Sequence, residues 1–240
     1  MPVSDLHRYL RQQQEQYGDL LYVEHEVLRR VTLASQGLVE DNGRVDEMWK
    51  TADTLGALNA MICDCHKCPL GETRTRFVFG VGNPAADVVI VGEAPGADED
   101  KKGEPFVGRA GQLLNDILKA IHFSREEVFI CNILKCRPPN NRDPLASEVE
   151  QCEPYLHKQL ELLQPKILLA LGRIAAQTLL RTNDSLTKLR ASVHEYRGIP
   201  LVVTYHPAAL LRNPNWKRPT WEDVQKFRAL YDTLSVGRKS

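Results

Sequence analysis

Four cysteines stand in two separated pairs, Cys65/Cys68 and Cys136/Cys152, with Pro69 directly after the first pair and Pro154 shortly after the second. An oxidised framework is unnecessary, because a chain of 240 residues buries a core without staples. The N-terminal Met1-Pro2-Val3-Ser4-Asp5 has neither the basic nor the apolar region of a secretory leader, so the expectation is a cytoplasmic chain with reduced thiols. Clustered reduced cysteines point to a metal centre. Zinc and an iron–sulfur cubane both accept four thiolates. Structural zinc sites usually present two close pairs, and here only Cys65-His66-Lys67-Cys68 is close. A larger cluster can be gripped from unrelated segments, often beside a proline, so the spacing favours iron–sulfur and leaves zinc as the alternative. Cys131 lies in an apolar run and reads as a small buried hydrophobe; Cys63 is a competing ligand.

A second set of reactive side chains is Glu93, Phe106, Asn132 and His206. Each has a plain structural reading. An acidic residue in a Gly/Pro turn starts a helix, Asn132 caps one, His206 before Pro207 closes a turn, and Phe106 belongs in a core. The glycines around Glu93 lack dinucleotide-fingerprint spacing, and no Gly-Lys-Ser/Thr marks a phosphate-cradling loop. Their common location is what counts.

That location follows from the elements between them. Short apolar runs at 88–91, 128–130, 167–171 and 201–203 read as buried strands, and amphipathic stretches at 113–121, 148–163 and 174–180 read as helices. The alternation implies βαβ units: an α/β, three-layer α/β/α sandwich around a central four-stranded, mainly parallel sheet. Ligands in such sheets gather at the carboxyl ends of the strands. Glu93 follows the first run, Asn132 the second, Gly172-Arg173 the third and His206 the fourth, with Phe106 on the long loop after the first. One sheet edge therefore collects a carboxylate, an amide, an imidazole and several basic groups.

Composition is that of an ordinary folded protein, with 42% hydrophobic and 26% charged residues and a formal net charge of +0. No apolar run approaches the roughly 20 residues of a membrane span. The first fifty residues hold six Lys/Arg against nine Asp/Glu. Helical spacing of Leu6, Tyr9, Leu10 and Gln13, and a second stretch at 23–31, suggest an N-terminal helical extension, followed by a Gly/Asp/Asn-rich linker at 37–43. The expected division is an extension and linker at 1–60 and the α/β domain at 61–240.

The motifs GEAPGADED (92–100), GEPFVGRAG (103–111), NILKCRPPN (132–140) and TYHPAALLRNP (204–214) closely resemble those of the family 4 uracil-DNA glycosylases, in the family's order and over about residues 63–232. The resemblance implies base excision repair: uracil is flipped out of DNA and its N-glycosidic bond hydrolysed, leaving an abasic site. It also implies a [4Fe-4S] cluster on Cys65, Cys68, Cys136 and Cys152. Gly92, Glu93, Ala94, Phe106, Asn132 and His206 would form the uracil pocket. Phe106 stacks on the base, Asn132 reads its edge, and His206 with main-chain N–H groups near Glu93 and Ala94 stabilises the leaving anion. Where the better-known branch has an aspartate in a GQDPYH-like motif this chain has Ala94, so Glu93 is the first choice to orient water, ahead of Asp98, Glu99 and Asp100. Gly96 stands where that branch has a bulky tyrosine. Leu210 would wedge into the duplex, and Arg212 and Arg137 would meet phosphate, with Arg142, Lys217 and Arg218 as further contacts. The implied partner is uracil-containing DNA, with no membrane, and the protein a monomer in the cytoplasm of a bacterial or archaeal cell, associated with the nucleoid. Competing readings are a product-trapping or non-catalytic uracil-DNA-binding protein of the same superfamily, and a redox protein.

Overall fold

The computed structural model describes residues 45–236, so the extension's expected helices at 6–13 and 23–31 and the linker at 37–43 lie outside them. The chain divides into two compact units, Met1–Met48 and Trp49–Ser240. That boundary falls earlier than the expected 60/61 division, because Trp49 packs edge-on against Tyr155 (4.9 Å) and Leu58 and Ile62 of helix α1 (Leu55–Ile62) are buried in the core, with the one-turn helix α2 (Leu70–Thr73) following.

The second unit contains a six-stranded sheet with strand order β1-β3-β2-β4-β6-β5. The four expected strands are its centre, β2 (Val88–Gly92), β3 (Phe129–Asn132), β4 (Ile167–Leu171) and β6 (Ile199–Thr204), all mutually parallel. Parallel neighbours require crossovers. Helices α3 (Ala97–Lys102) and α4 (Arg109–Ala120) join β2 to β3, and α5 (Ala146–Leu163) joins β3 to β4. Helices α6 (Arg173–Leu180) and α7 (Leu186–Arg190) lie between β4 and β5.

Two edge strands were not expected: β1 (Val81–Gly82), antiparallel to β3, and β5 (His194–Tyr196), antiparallel to β6. Neither contains an apolar run, and two or three residues are too few for alternation to register. The β5–β6 hairpin turns through Arg197 (φ 53°) and Gly198 (φ 82°), the pair of left-handed residues that a tight hairpin demands.

Side chains alternate across the sheet and build a core on each face. Val89, Val91, Phe129, Cys131, Leu168, Ala170, Leu201 and Val203 pack with α1, α5, α6 and α7. Val88, Ile90, Val128, Ile130, Ile167, Leu169 and Val202 face α4 and the C-terminal helix α9 (Lys217–Val236), which contributes Val224 and Phe227. Burial on both faces explains the unbroken apolar runs. The register then levels the strand tips: Gly92 pairs with Asn132, and Leu171 with Thr204.

Candidate active site

The levelled tips open into a cleft of about 730 Å³ whose lining includes Glu93, Ala94, Phe106, Asn132 and His206. Glu93 and Ala94 follow the last residue of β2, Asn132 ends β3, and His206 caps helix α8 (Pro207–Arg212) just beyond β6. Main-chain bonds from Ile133 N to Gly92 O and from Leu134 N to Glu93 O, both 3.0 Å, prolong the β2–β3 pairing past the strand ends. They fix Glu93 and Asn132 side by side.

Gly92 itself lies under the cleft. A Cβ there would fall 2.3 Å from Asn132 Oδ1 and 2.8 Å from Phe106 Cζ, so a hydrogen is all the space admits. The Phe106 ring comes within 5.4 Å of the His206 ring, centroid to centroid, tilted by 31°. Phe106 adopts φ 52°, an unfavourable backbone for a bulky residue that surrounding structure must enforce. Three residues enforce it. Glu99 Oε1 accepts from the Val107 and Gly108 amides at 2.9 and 3.1 Å, and Arg125 donates to the Pro105 and Phe106 carbonyls. Gly111 of α4 lies so close that a Cβ would stand 1.8 Å from Phe106 O.

Asn132 is buried, and its Oδ1 has no hydrogen-bond partner among the described residues. Buried acceptors are seldom left unpaired, since each such group costs about 1–3 kcal/mol. An acceptor held open at the floor of a cleft is ready for a ligand's N–H.

Burial pulls the His206 imidazole down to about 4, aided by the positive charge of Arg212 and opposed by Glu99. The ring is therefore neutral at physiological pH. Its Nδ1 accepts from the Ala208 amide (3.2 Å), which leaves the proton of the neutral ring on Nε2 as a donor. Glu93 moves the other way, up to about 7, through burial and the negative charge of Asp143, partly offset by Arg173. Asp143 and Arg173 are themselves paired at 3.0 Å and line the cleft.

The other expected carboxylates have separate tasks. Glu99 lines the cleft and holds the Phe106 loop, whereas buried Asp100 accepts from the Thr75 and Arg76 amides. Asp98 is exposed beside Gly108.

The expected DNA-contact residues separate. Arg212 is exposed on the cleft rim. Arg137 lies off the cleft lining, with its Nε on Asn141 Oδ1 (2.8 Å). Arg142 is committed to buried Glu148 by a two-pronged ion pair. Lys217 and Arg218 are exposed at the start of α9. The wedge expectation for Leu210 needs correction. Leu210 is 1% exposed, because α8 packs against α4 and turns that position inward; its neighbour Leu211, about 100° further round the helix, is 41% exposed.

The four paired cysteines share one neighbourhood, to which α5 contributes Cys152. Cys65 Sγ accepts from the Tyr155 hydroxyl (3.2 Å) and the Lys67 amide (3.5 Å), Cys136 Sγ from Arg74 (3.3 Å), and Cys152 Sγ from the Lys135 amide (3.2 Å). The charges of Cys65 and Cys68 act on Cys136, and those of Cys136 and Cys65 on Cys152. Burial pushes the Cys136 thiol up to about 11 and the Cys152 thiol to about 12. Among the described residues no three His, Cys, Asp or Glu side chains close around a single ion. The donors aimed at sulfur are those that thiolate ligands use. Cys63 points its thiol at Ala60 O, and Cys131 is buried within the sheet.

The model of the Uracil DNA glycosylase superfamily matches residues 79–225, and the chain belongs to that superfamily. It is 46% identical over 177 residues to the Type-4 uracil-DNA glycosylase of Archaeoglobus fulgidus, covering 70% of this chain and 89% of that one. The Type-4 uracil-DNA glycosylase of Thermotoga maritima is 39% identical over 186 residues, 76% of this chain and 97% of its own. A Type-5 uracil-DNA glycosylase of Pyrobaculum aerophilum is 32% identical over 160 residues, with shares of 60% and 70%.

Two features of the cleft carry little signal in the sequence. The Asp143–Arg173 pair joins residues from different crossovers. Tyr205 and Trp216, which also line the cleft, stack face to face although eleven positions apart. No helical or strand period links either pair.

The His206 environment has a direct test. Its ring proton signals in an NMR titration should move with a midpoint near 4, and Arg212→Ala should raise that midpoint. Between pH 6.5 and 4 the unfolded chain binds a proton that the folded ring refuses, so His206 makes stability fall as pH falls through that window. A midpoint at the ordinary value of 6.5 would mean that the ring is solvated rather than held in the cleft.

Proposed function

We propose that this chain is a uracil-DNA glycosylase that draws uracil out of DNA into the cleft and hydrolyses its N-glycosidic bond, leaving an abasic site and free uracil. The observation that carries the reading is the unpartnered Oδ1 of Asn132, in the same cleft as the Phe106 ring and the neutral donor His206. A base must leave the stack before an enzyme can act on it, and its Watson–Crick edge then becomes readable. Uracil offers N3–H to Asn132 Oδ1 and O4 to Asn132 Nδ2. Cytosine reverses that pattern and would strand a buried polar group at both positions. Phe106 supplies the stacking face.

Cleavage develops positive charge on the sugar and negative charge on uracil O2. His206 Nε2–H, already neutral and fixed by Ala208, donates to that oxygen without first losing a proton. Glu93 receives the attacking water. Its carboxyl, raised to about 7, is poised to orient water and take a proton near neutral pH. Arg212 and the exposed Leu211 reach the duplex around the extruded nucleotide, where an apolar side chain helps to hold the opened stack. On this reading the protein acts as a monomer on genomic DNA, in the nucleoid-bearing cytoplasm of a bacterial or archaeal cell.

The cysteine set suits a [4Fe-4S] cluster better than zinc, because the four sulfurs come from three segments and Cys65, Cys136 and Cys152 each accept from N–H or O–H donors, as the ligands of a large cubane do. Cys65, Cys68, Cys136 and Cys152 would hold it, and it would brace the segment after α1 against the β3 loop and α5. Hydrolysis needs no redox step from it. A product-trapping role is less well supported: His206 is the one histidine among the described residues lining the cleft, and the loop after β3 contributes none.

Purified protein should produce alkali-labile strand breaks at uracil in DNA. The Asn132→Ala/His206→Ala double variant should lose them, and Asn132→Asp should lose selectivity for uracil over cytosine; intact selectivity would remove Asn132 from base reading. The rate of bond cleavage in single turnover should rise with pH through one ionisation near 7, as Glu93 gives up its proton. Glu93→Gln should be slower and flat across that range, and an unchanged profile would assign the step to another group. The protein should be brown, with iron and acid-labile sulfide each near 4 per chain. Colour and iron should disappear in Cys152→Ser, and stoichiometric zinc in their place would overturn the cluster assignment.

A further inference from the structure

The cleft has an aromatic edge that the proposed reaction leaves unused. Tyr205 and Trp216 both line it, with ring centroids 4.8 Å apart and planes within 10°. On Tyr205 the guanidinium of Arg190 is also layered, 4.3 Å from the ring centroid. Arg190 is anchored in turn, with Nε and Nη2 donating to the two Asp223 oxygens at 2.6 and 3.0 Å and Nη2 also donating to Pro219 O at 2.9 Å. Asp223 is buried and accepts from Thr204 Oγ1 at 2.7 Å, at the tip of β6. A continuous series of contacts therefore runs from the sheet through Asp223, Arg190 and Tyr205 to Trp216.

Trp216 is the outermost member. It sits in a one-turn 3-10 segment (Pro214–Trp216) capped by Asn213, and its carbonyl accepts from Thr220 Oγ1 at 2.8 Å. Trp216 is 37% exposed, although Tyr205 covers one face of its indole. Nearby in sequence, Leu211 and Trp221 are also exposed, interleaved with exposed Arg212, Lys217 and Arg218. Rigid aromatic planes set among cations are how proteins hold single-stranded nucleic acid, with bases stacking on the rings and phosphates meeting the charges.

We propose that Trp216 is a stacking subsite for the base adjoining the extruded nucleotide on the same DNA strand. The inference rests on the glycosylase reading. A strand that delivers one base to Asn132 and His206 must lay its neighbours across the same cleft mouth, and Trp216 is the open ring there. Tyr205 and Arg190 serve as its pedestal, which keeps the indole pre-positioned and lowers the entropic cost of stacking.

The test uses the full chain and single-stranded oligonucleotides bearing one 2′-fluoro-deoxyuridine, which resists cleavage. In companion strands the base on its 5′ or 3′ side is replaced by an abasic spacer. One of the two spacers should weaken wild-type binding by roughly 5- to 100-fold, the range for loss of one stacked base. Trp216→Ala should bind the intact strand more weakly by a similar factor and be indifferent to that spacer, whereas Trp216→Phe should keep most of the difference. Wild-type indifference to both spacers would overturn the subsite. So would a Trp216→Ala variant that still distinguishes the spacers as wild type does, since the ring would then only cover Tyr205. Excision from the unmodified uracil strand by the wild-type protein reads the parent proposal separately.

Discussion

The missing side chain at Gly92 is the constraint on which the cleft depends. The parallel register brings Gly92 level with Asn132, and the Phe106 loop folds back over the same spot. A methyl group there would overlap the Asn132 amide and press on the Phe106 ring, so the two side chains could not both keep these positions. The strained φ of Phe106 and the tight passage of Gly111 follow from the same demand. They hold the ring down onto the strand tip, with Glu99 and Arg125 tying the loop from both sides. A site assembled on strand ends and locked by such contacts is organised before any ligand arrives.

Burial in that cleft separates its two titratable groups according to sign. Desolvation disfavours whichever form carries charge, so it lowers the imidazole of His206 and raises the carboxyl of Glu93. The outcome is a neutral hydrogen-bond donor and a carboxylate poised near neutrality within one cavity. Arg212 reinforces the first shift, and the Asp143–Arg173 pair acts on the second with opposing charges. Pairs of groups whose environments drive their pKa values apart are how acid and base duties become divided.

Much of this was legible in the residues because the central strands are buried on both faces. Continuous apolar runs mark them, and their ends point to Glu93, Asn132 and His206 by the rule that parallel sheets bind at their carboxyl edge. The edge strands escaped because His194-Glu195-Tyr196 and Val81-Gly82 are too short to show a period. Leu210 failed for a different reason. Two adjacent leucines in a six-residue helix look alike in sequence, and only the packing of α8 on α4 decides that Leu211 is the exposed one. Arg142 looked free to meet phosphate until Glu148, six residues on, claimed it. The domain boundary shifted because Trp49 has a partner in Tyr155, a contact between residues far apart in the chain.

The cysteine site and the cleft are physically continuous through Lys135. Its backbone amide donates to Cys152 Sγ, while its fully buried ammonium group donates to the Asn132 carbonyl at 2.7 Å and to Gln159 Oε1 at 2.6 Å. Gln159 passes the connection to Phe79 O at 2.9 Å. Burial lowers the Lys135 pKa, and the neighbouring cysteines oppose that shift, so the sulfur-rich surroundings favour keeping its charge. A buried lysine is costly unless its donors are satisfied, and two of its three have acceptors here. The same interactions fix the main chain at Asn132 from below while Gly92 and Phe106 crowd its side chain from above. The cysteine site thus bears on the position of Asn132 without entering the cleft: Cys152 holds the main chain of Lys135, and Lys135 holds the Asn132 carbonyl.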